Sequence, residues 1–151
     1  MDTAYRLLLA AHGFAGAVAL ATFWIAAFAK KGSSLHRSVG KTYLVAMCGI
    51  VATAAPMSVV IGLRGKPGIA TFLAYLVIIT ATSMWLGWRA IRRKRDQPGF
   101  RDTRYAVVAV ANLLASAAVF AIGFKMSMTL LMGFSLVGVV TGGEMLLRRA
   151  K

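Results

Sequence analysis

Apolar residues run along this chain in five long stretches, at positions 7–29, 39–63, 68–88, 105–124 and 126–147, separated by short polar or charged breaks. A helix rising ~1.5 Å per residue needs roughly 20 such residues to cross a ~30 Å hydrocarbon core, and every stretch reaches that length. None carries the polar face that a helix on a soluble core would show. The runs are rich in Ala, Leu and Met and lack the period-two alternation of a membrane barrel. The pattern predicts an all-α fold, a polytopic transmembrane bundle of five spans forming one integral membrane domain over 1–151.

The breaks carry turn chemistry. Arg64-Gly65-Lys66-Pro67-Gly68 is a turn signal between the second and third stretches, and Pro98-Gly99 breaks the third connection. Ser38 is a candidate N-cap for the second helix, and Asp102 or Thr103 for the fourth. Only Lys125 interrupts the last forty or so apolar residues. One helix of that length overruns the slab, so a tight turn is expected at Gly123–Lys125. Pro56 should kink the second span. The first stretch contains Ala17-Val18-Ala19, which mimics a signal-peptide cleavage site, yet it continues to Ala29 and stops at Lys30-Lys31 as a span does.

Composition sharpens the picture. The chain has 151 residues, 59% hydrophobic, with 18 Lys+Arg against 4 Asp+Glu. A pI near 11.2 would suit a nucleic-acid binder, but a mean hydropathy of +0.73 does not, so no nucleic-acid partner is expected. The charge is instead topogenic. With five alternating spans, one side collects Lys30, Lys31, Arg37 and Lys41, then Arg89, Arg92, Arg93, Lys94, Arg95, Arg101 and Arg104, and finally Arg148, Arg149 and Lys151. The other side keeps Arg6, Arg64, Lys66 and Lys125. The positive-inside rule then puts the N-terminus out and the C-terminus in the cytoplasm.

The segments outside the spans are too short for a soluble catalytic domain. There is no phosphate loop, nucleophile elbow or metal-spaced His/Cys pair, so neither catalytic residues nor a metal site are expected. The single Cys48 lies within the second span and forms no intramolecular disulfide.

Ionisable and polar groups inside the spans are the functional candidates. His12, two turns into the first span, can hold haem b, hydrogen-bond a quinone, or simply bond a neighbouring helix. His36 lies 24 positions away at the opposite interface, ~30 Å distant at helical rise, so the two cannot ligate one haem. Glu144 is the one carboxylate inside a span. It either pairs with Arg148 at i+4 or forms a proton or cation site, with Asn112 at similar depth. Gly13/Ala17 and Gly138/Gly142 are small-residue pairs that allow close helix approach. The basic face, with His36, Arg37 and Lys41 and above all Arg92, Arg93, Lys94 and Arg95, suits anionic lipid or an acidic partner subunit.

The first half also carries a pattern. His12, Gly16, Ala19-Leu20, Lys31-Gly32 and the run Leu35-His36-Arg37-Ser38-Val39-Gly40-Lys41-Thr42-Tyr43 with Met47 resemble the small bacterial membrane proteins catalogued as domain of unknown function 2306. Thr82-Ser83-Met84-Trp85 followed by Arg89-Ala90-Ile91-Arg92-Arg93 is similar to that family's third span and basic loop. The resemblance covers about 11–95 and implies a multi-pass protein of a bacterial inner membrane, without an activity to carry over. It marks His12, His36 and Arg37 as residues of interest. The expected function is a non-enzymatic accessory or scaffolding subunit, packed against other membrane subunits or its own copies. The alternatives are a haem- or quinone-binding redox protein using His12 and a small oligomeric transporter using Glu144.

Overall fold

The computed structural model describes residues 3–93 and 102–150, leaving the side chains of 149 and 150 aside. Five helices follow one another: α1 (Thr3–Phe28), α2 (Ser34–Leu63), α3 (Pro67–Arg92), α4 (Thr103–Lys125) and α5 (Thr129–Ala150). All five are long and apolar enough to cross a membrane, which fits a multi-pass membrane protein. Lys94, Arg95 and the Pro98-Gly99 break lie outside the described residues. The chain divides into two compact units, Met1–Val60 and Ile61–Lys151.

The first unit is an antiparallel hairpin of α1 and α2. Its partners run in opposite directions along the two helices: His12 with Thr53, Ala15 with Gly49, Phe23 with Tyr43, and Ala26 with His36. Gly32 makes the connection with a φ of 87°, a value that L side chains rarely adopt. Helix α2 starts earlier than expected. Ser33, not Ser38, caps it, its side chain accepting the His36 N–H at 3.1 Å. Pro56 lies inside α2, which continues to Leu63.

The second unit is an up-down-up arrangement of α3, α4 and α5. Helix α2 ends in a Schellman motif: Lys66 N–H donates to Ile61 O and Gly65 N–H to Gly62 O, with Gly65 at φ 75°. Pro67 then opens α3, where its missing N–H costs nothing. The α4–α5 turn repeats the motif. Met128 N–H donates to Gly123 O and Ser127 N–H to Phe124 O, with Ser127 in the left-handed region at φ 53°. The turn therefore sits at Met126–Met128, beyond the expected Gly123–Lys125. Gly123 is used differently: a Cβ there would stand 2.8 Å from Leu131 Cβ, so the missing side chain lets α5 close onto α4.

Two apolar clusters hold the three helices. Tyr75, Val119 and Leu131 form one, at the α4–α5 turn end. Tyr105, Ala109 and Met145 form the other, at the opposite end. Between them Gly138 and Gly142 pack α5 against α4. A Cβ on Gly142 would lie 3.0 Å from the Ala109 carbonyl oxygen. The missing side chain lets the two backbones come close there.

Candidate functional site

His12 is half-buried on α1, with Nδ1 2.9 Å from Thr53 Oγ1. The Thr53 hydroxyl also lies 2.8 Å from the Gly49 carbonyl and 3.0 Å from that of Ile50, and its one proton goes to those acceptors. Nδ1 of His12 then donates to Thr53, which fixes the ring. Nε2 has no hydrogen-bond partner among the described residues. In a neutral ring held this way, Nε2 is the nitrogen able to ligate a metal or accept a hydrogen bond.

His36 is held in a similar way: its Nδ1 lies 3.1 Å from the Ala26 carbonyl, which can only accept, so Nδ1–H donates. Ala26 is 14 positions from His12 along α1, roughly 21 Å at helical rise. This is shorter than the expected separation and still too far for one haem. Arg37 and Lys41 are exposed on the next turns of α2.

Asn112 is buried, not beside Glu144 but against Gly138, in a polar cluster of the second unit. Tyr75 Oη lies 2.9 Å from Ser116 Oγ and donates toward the Ser135 carbonyl at 3.2 Å. Ser116 Oγ donates to the Asn112 main-chain carbonyl at 2.6 Å. Gly138 admits the cluster: a Cβ there would collide with Ser116 Oγ and Tyr75 Oη and stand 3.0 Å from Asn112 Oδ1. Both amide atoms of Asn112 lack a hydrogen-bond partner among the described residues.

Glu144 pairs with Arg148, whose Nε and Nη2 reach the same Oε1 at 2.9 and 2.6 Å. Both side chains are more than half exposed. The pairing matches the i,i+4 expectation.

One ion pair was not foreseen. Arg89 is buried, stacks 4.7 Å over Trp85, and places Nη2 3.1 Å from Asp102 Oδ1. Asp102 also caps α4 by accepting the Tyr105 N–H at 3.0 Å. That N–H, and Arg89 after it, hold the Asp102 carboxyl below the usual carboxylate range against the effect of desolvation. The clue in the sequence was an isolated acid at a helix start facing a basic helix end. Next along α3, Arg92 stacks 4.6 Å over Trp88, and Arg93 is exposed.

Of the small-residue pairs, Gly138 and Gly142 are buried against α4. Gly13 is not: within its hairpin a Cβ there would meet nothing within 4 Å, and Ala17 is exposed. The close approach in that unit falls at Ala15 and Gly49 instead. Among the described residues no group of three or more His, Cys, Asp or Glu side chains comes together. No protein-family model matches the chain, and no curated protein or solved structure is similar enough to align with it.

Proposed function

We propose that this chain is a small integral protein of a bacterial inner membrane, N-terminus out and C-terminus in, serving as a non-enzymatic accessory or scaffolding subunit. The observation that carries this reading is the small-residue face of α1. Gly138 and Gly142 spend their missing side chains on packing inside the chain, whereas Gly13 and Ala17 present a smooth surface that their own hairpin leaves open. Such a face lets a helix of another subunit, or of a second copy, approach closely. The exposed cations Arg37, Lys41 and Arg93 add attraction to anionic lipid, at ~1 kcal/mol each near the surface. The resemblance to domain of unknown function 2306 supports the bacterial placement.

A photo-reactive residue at Ala17 tests this in native membranes. A cross-linked adduct, lost in a Gly13→Leu variant, is expected. A protein that runs as a lone monomer on native gels and cross-links to nothing overturns the accessory role.

His12 supports a second reading, a haem b or quinone protein, because its Nε2 has no partner among the described residues while Thr53 fixes the ring. Such a group would bring electron transfer; the chain's part is to orient the imidazole through the Thr53 contact. The check is a reduced-minus-oxidised spectrum of gently extracted protein beside His12→Ala. A Soret band lost in the variant replaces the scaffold reading, and a flat spectrum removes haem.

A further inference from the structure

Near the ends of α3 and α5, with Tyr105 of α4 beside it, lies a cavity of about 320 Å³. Leu86, Gly87 and Ala90 wall it from α3, and Met145 from α5. Its charged groups are one ion pair, Glu144 and Arg148, and the geometry of that pair is lopsided. Both hydrogen bonds from Arg148 end on Oε1. Oε2 of Glu144 therefore accepts nothing among the described residues. Arg148 uses two of its five N–H groups and keeps three for another partner. A spare acceptor and spare donors thus stand side by side, with no net charge, at the rim of an apolar slot.

The slot lies between two helices that are both long and apolar enough to cross a membrane. At the same end of α3, exposed Trp88 carries Arg92 over its ring, and an amphipathic ring beside a cation suits the headgroup level of a bilayer. We propose that the cavity binds a phospholipid with a primary ammonium headgroup, an ethanolamine phospholipid. Its phosphate sits on the free N–H groups of Arg148, its ammonium on Glu144 Oε2, and the upper part of one acyl chain against Gly87, Ala90 and Met145. Charge complementarity selects this occupant. A choline headgroup has no N–H to give Oε2, and a glycerol headgroup brings a second anion to the carboxylate with no cation to offset it. The inference rests on the membrane placement and not on the accessory role, so a lone monomer on native gels leaves it standing.

The test is lipid retention. The protein is exchanged into a mild detergent holding equal amounts of phosphatidylethanolamine, phosphatidylcholine and phosphatidylglycerol with identical chains, and bound lipids are counted by native mass spectrometry. A charge-assisted hydrogen bond predicts roughly tenfold retention of the ethanolamine lipid over the choline lipid. Glu144→Gln should erase that preference while phosphatidylglycerol is still retained. Gly87→Leu should abolish retention of all three: a Cβ at Gly87 meets nothing within 4 Å, so the added side chain enters the slot without disturbing the fold. A thermal melt of each variant accompanies the count. If Glu144→Gln does not fold, the wild-type preference and Gly87→Leu decide the matter. Equal retention of the ethanolamine and choline lipids by the wild type overturns the proposal, and so does an unchanged preference in Gly87→Leu.

Discussion

Among the glycines of the three-helix unit, Gly138 has the least room for a side chain. A methyl group there meets Ser116 Oγ and Tyr75 Oη, both buried and both already hydrogen-bonded. Gly138→Ala is therefore expected to destabilise the unit by about 1–3 kcal/mol, the usual cost of overpacking a filled interior. Gly143 makes the control, because a Cβ there meets nothing within 4 Å. Gly143→Ala should be neutral or gain about 0.5–1 kcal/mol from the better helix former. Thermal unfolding of the two variants in one detergent separates packing from propensity. Ser127 gives the opposite sign. It occupies the left-handed C′ position of a Schellman motif, a conformation costing an L-residue about 1–2 kcal/mol. Ser127→Gly should raise the melting temperature by relieving that cost, and a lowered one would show that the Ser127 side chain has a role the backbone does not reveal.

At the scale of helices, the sequence carried their number and approximate bounds because membrane spans are limited by length and apolarity, which are local properties. Their exact starts and ends depended on contacts. Ser38 was the expected cap of α2, but the His36 N–H is satisfied by Ser33, and the helix starts a turn earlier. Gly123 was read as a turn residue because glycine serves both turns and close packing, and only the nearness of Leu131 shows which. The Glu144–Arg148 pair was legible since it is local, whereas the Asn112–Gly138 and His12–Thr53 contacts depend on how the helices are rotated. The Arg89–Asp102 pair joins the end of α3 to the start of α4 and has a pH signature. Asp102 has a depressed pKa when folded, so its contribution is fully present above the unfolded value near 3.9 and is lost as pH falls through the lower folded value. Hydrogen exchange at the first amides of α4, followed from pH 7 down to pH 3 and corrected for intrinsic rates, should show protection falling only below about pH 4. In Asp102→Asn that acid step should vanish, and a step that persists would assign it to another carboxylate.

For the whole molecule, the strongest asymmetry is charge. The α1–α2 connection carries Lys30 and Lys31, and the end of α3 adds Arg89, Arg92 and Arg93, whereas the α2–α3 connection holds only Arg64 and Lys66. Basic residues are held on the cytoplasmic side during insertion, so this imbalance is the basis of the proposed orientation, N-terminus out and C-terminus in. The expectation is tested with single cysteines in a Cys48→Ser background. Lys66→Cys should react with a membrane-impermeant maleimide in intact cells, and Lys31→Cys only after permeabilisation. Both positions are exposed on short connections, so burial within the protein does not mask them. The reverse pattern would invert the orientation and move the basic face away from the anionic cytoplasmic leaflet, removing the lipid attraction assigned to Arg37, Lys41 and Arg93. Labelling of both in intact cells would mean that α2 does not cross at all. Protection of Lys31→Cys alone means that α2 crosses with its first turn inward, as the proposed orientation requires, and directs the search for the proposed partner subunits to that rim and the Gly13–Ala17 face.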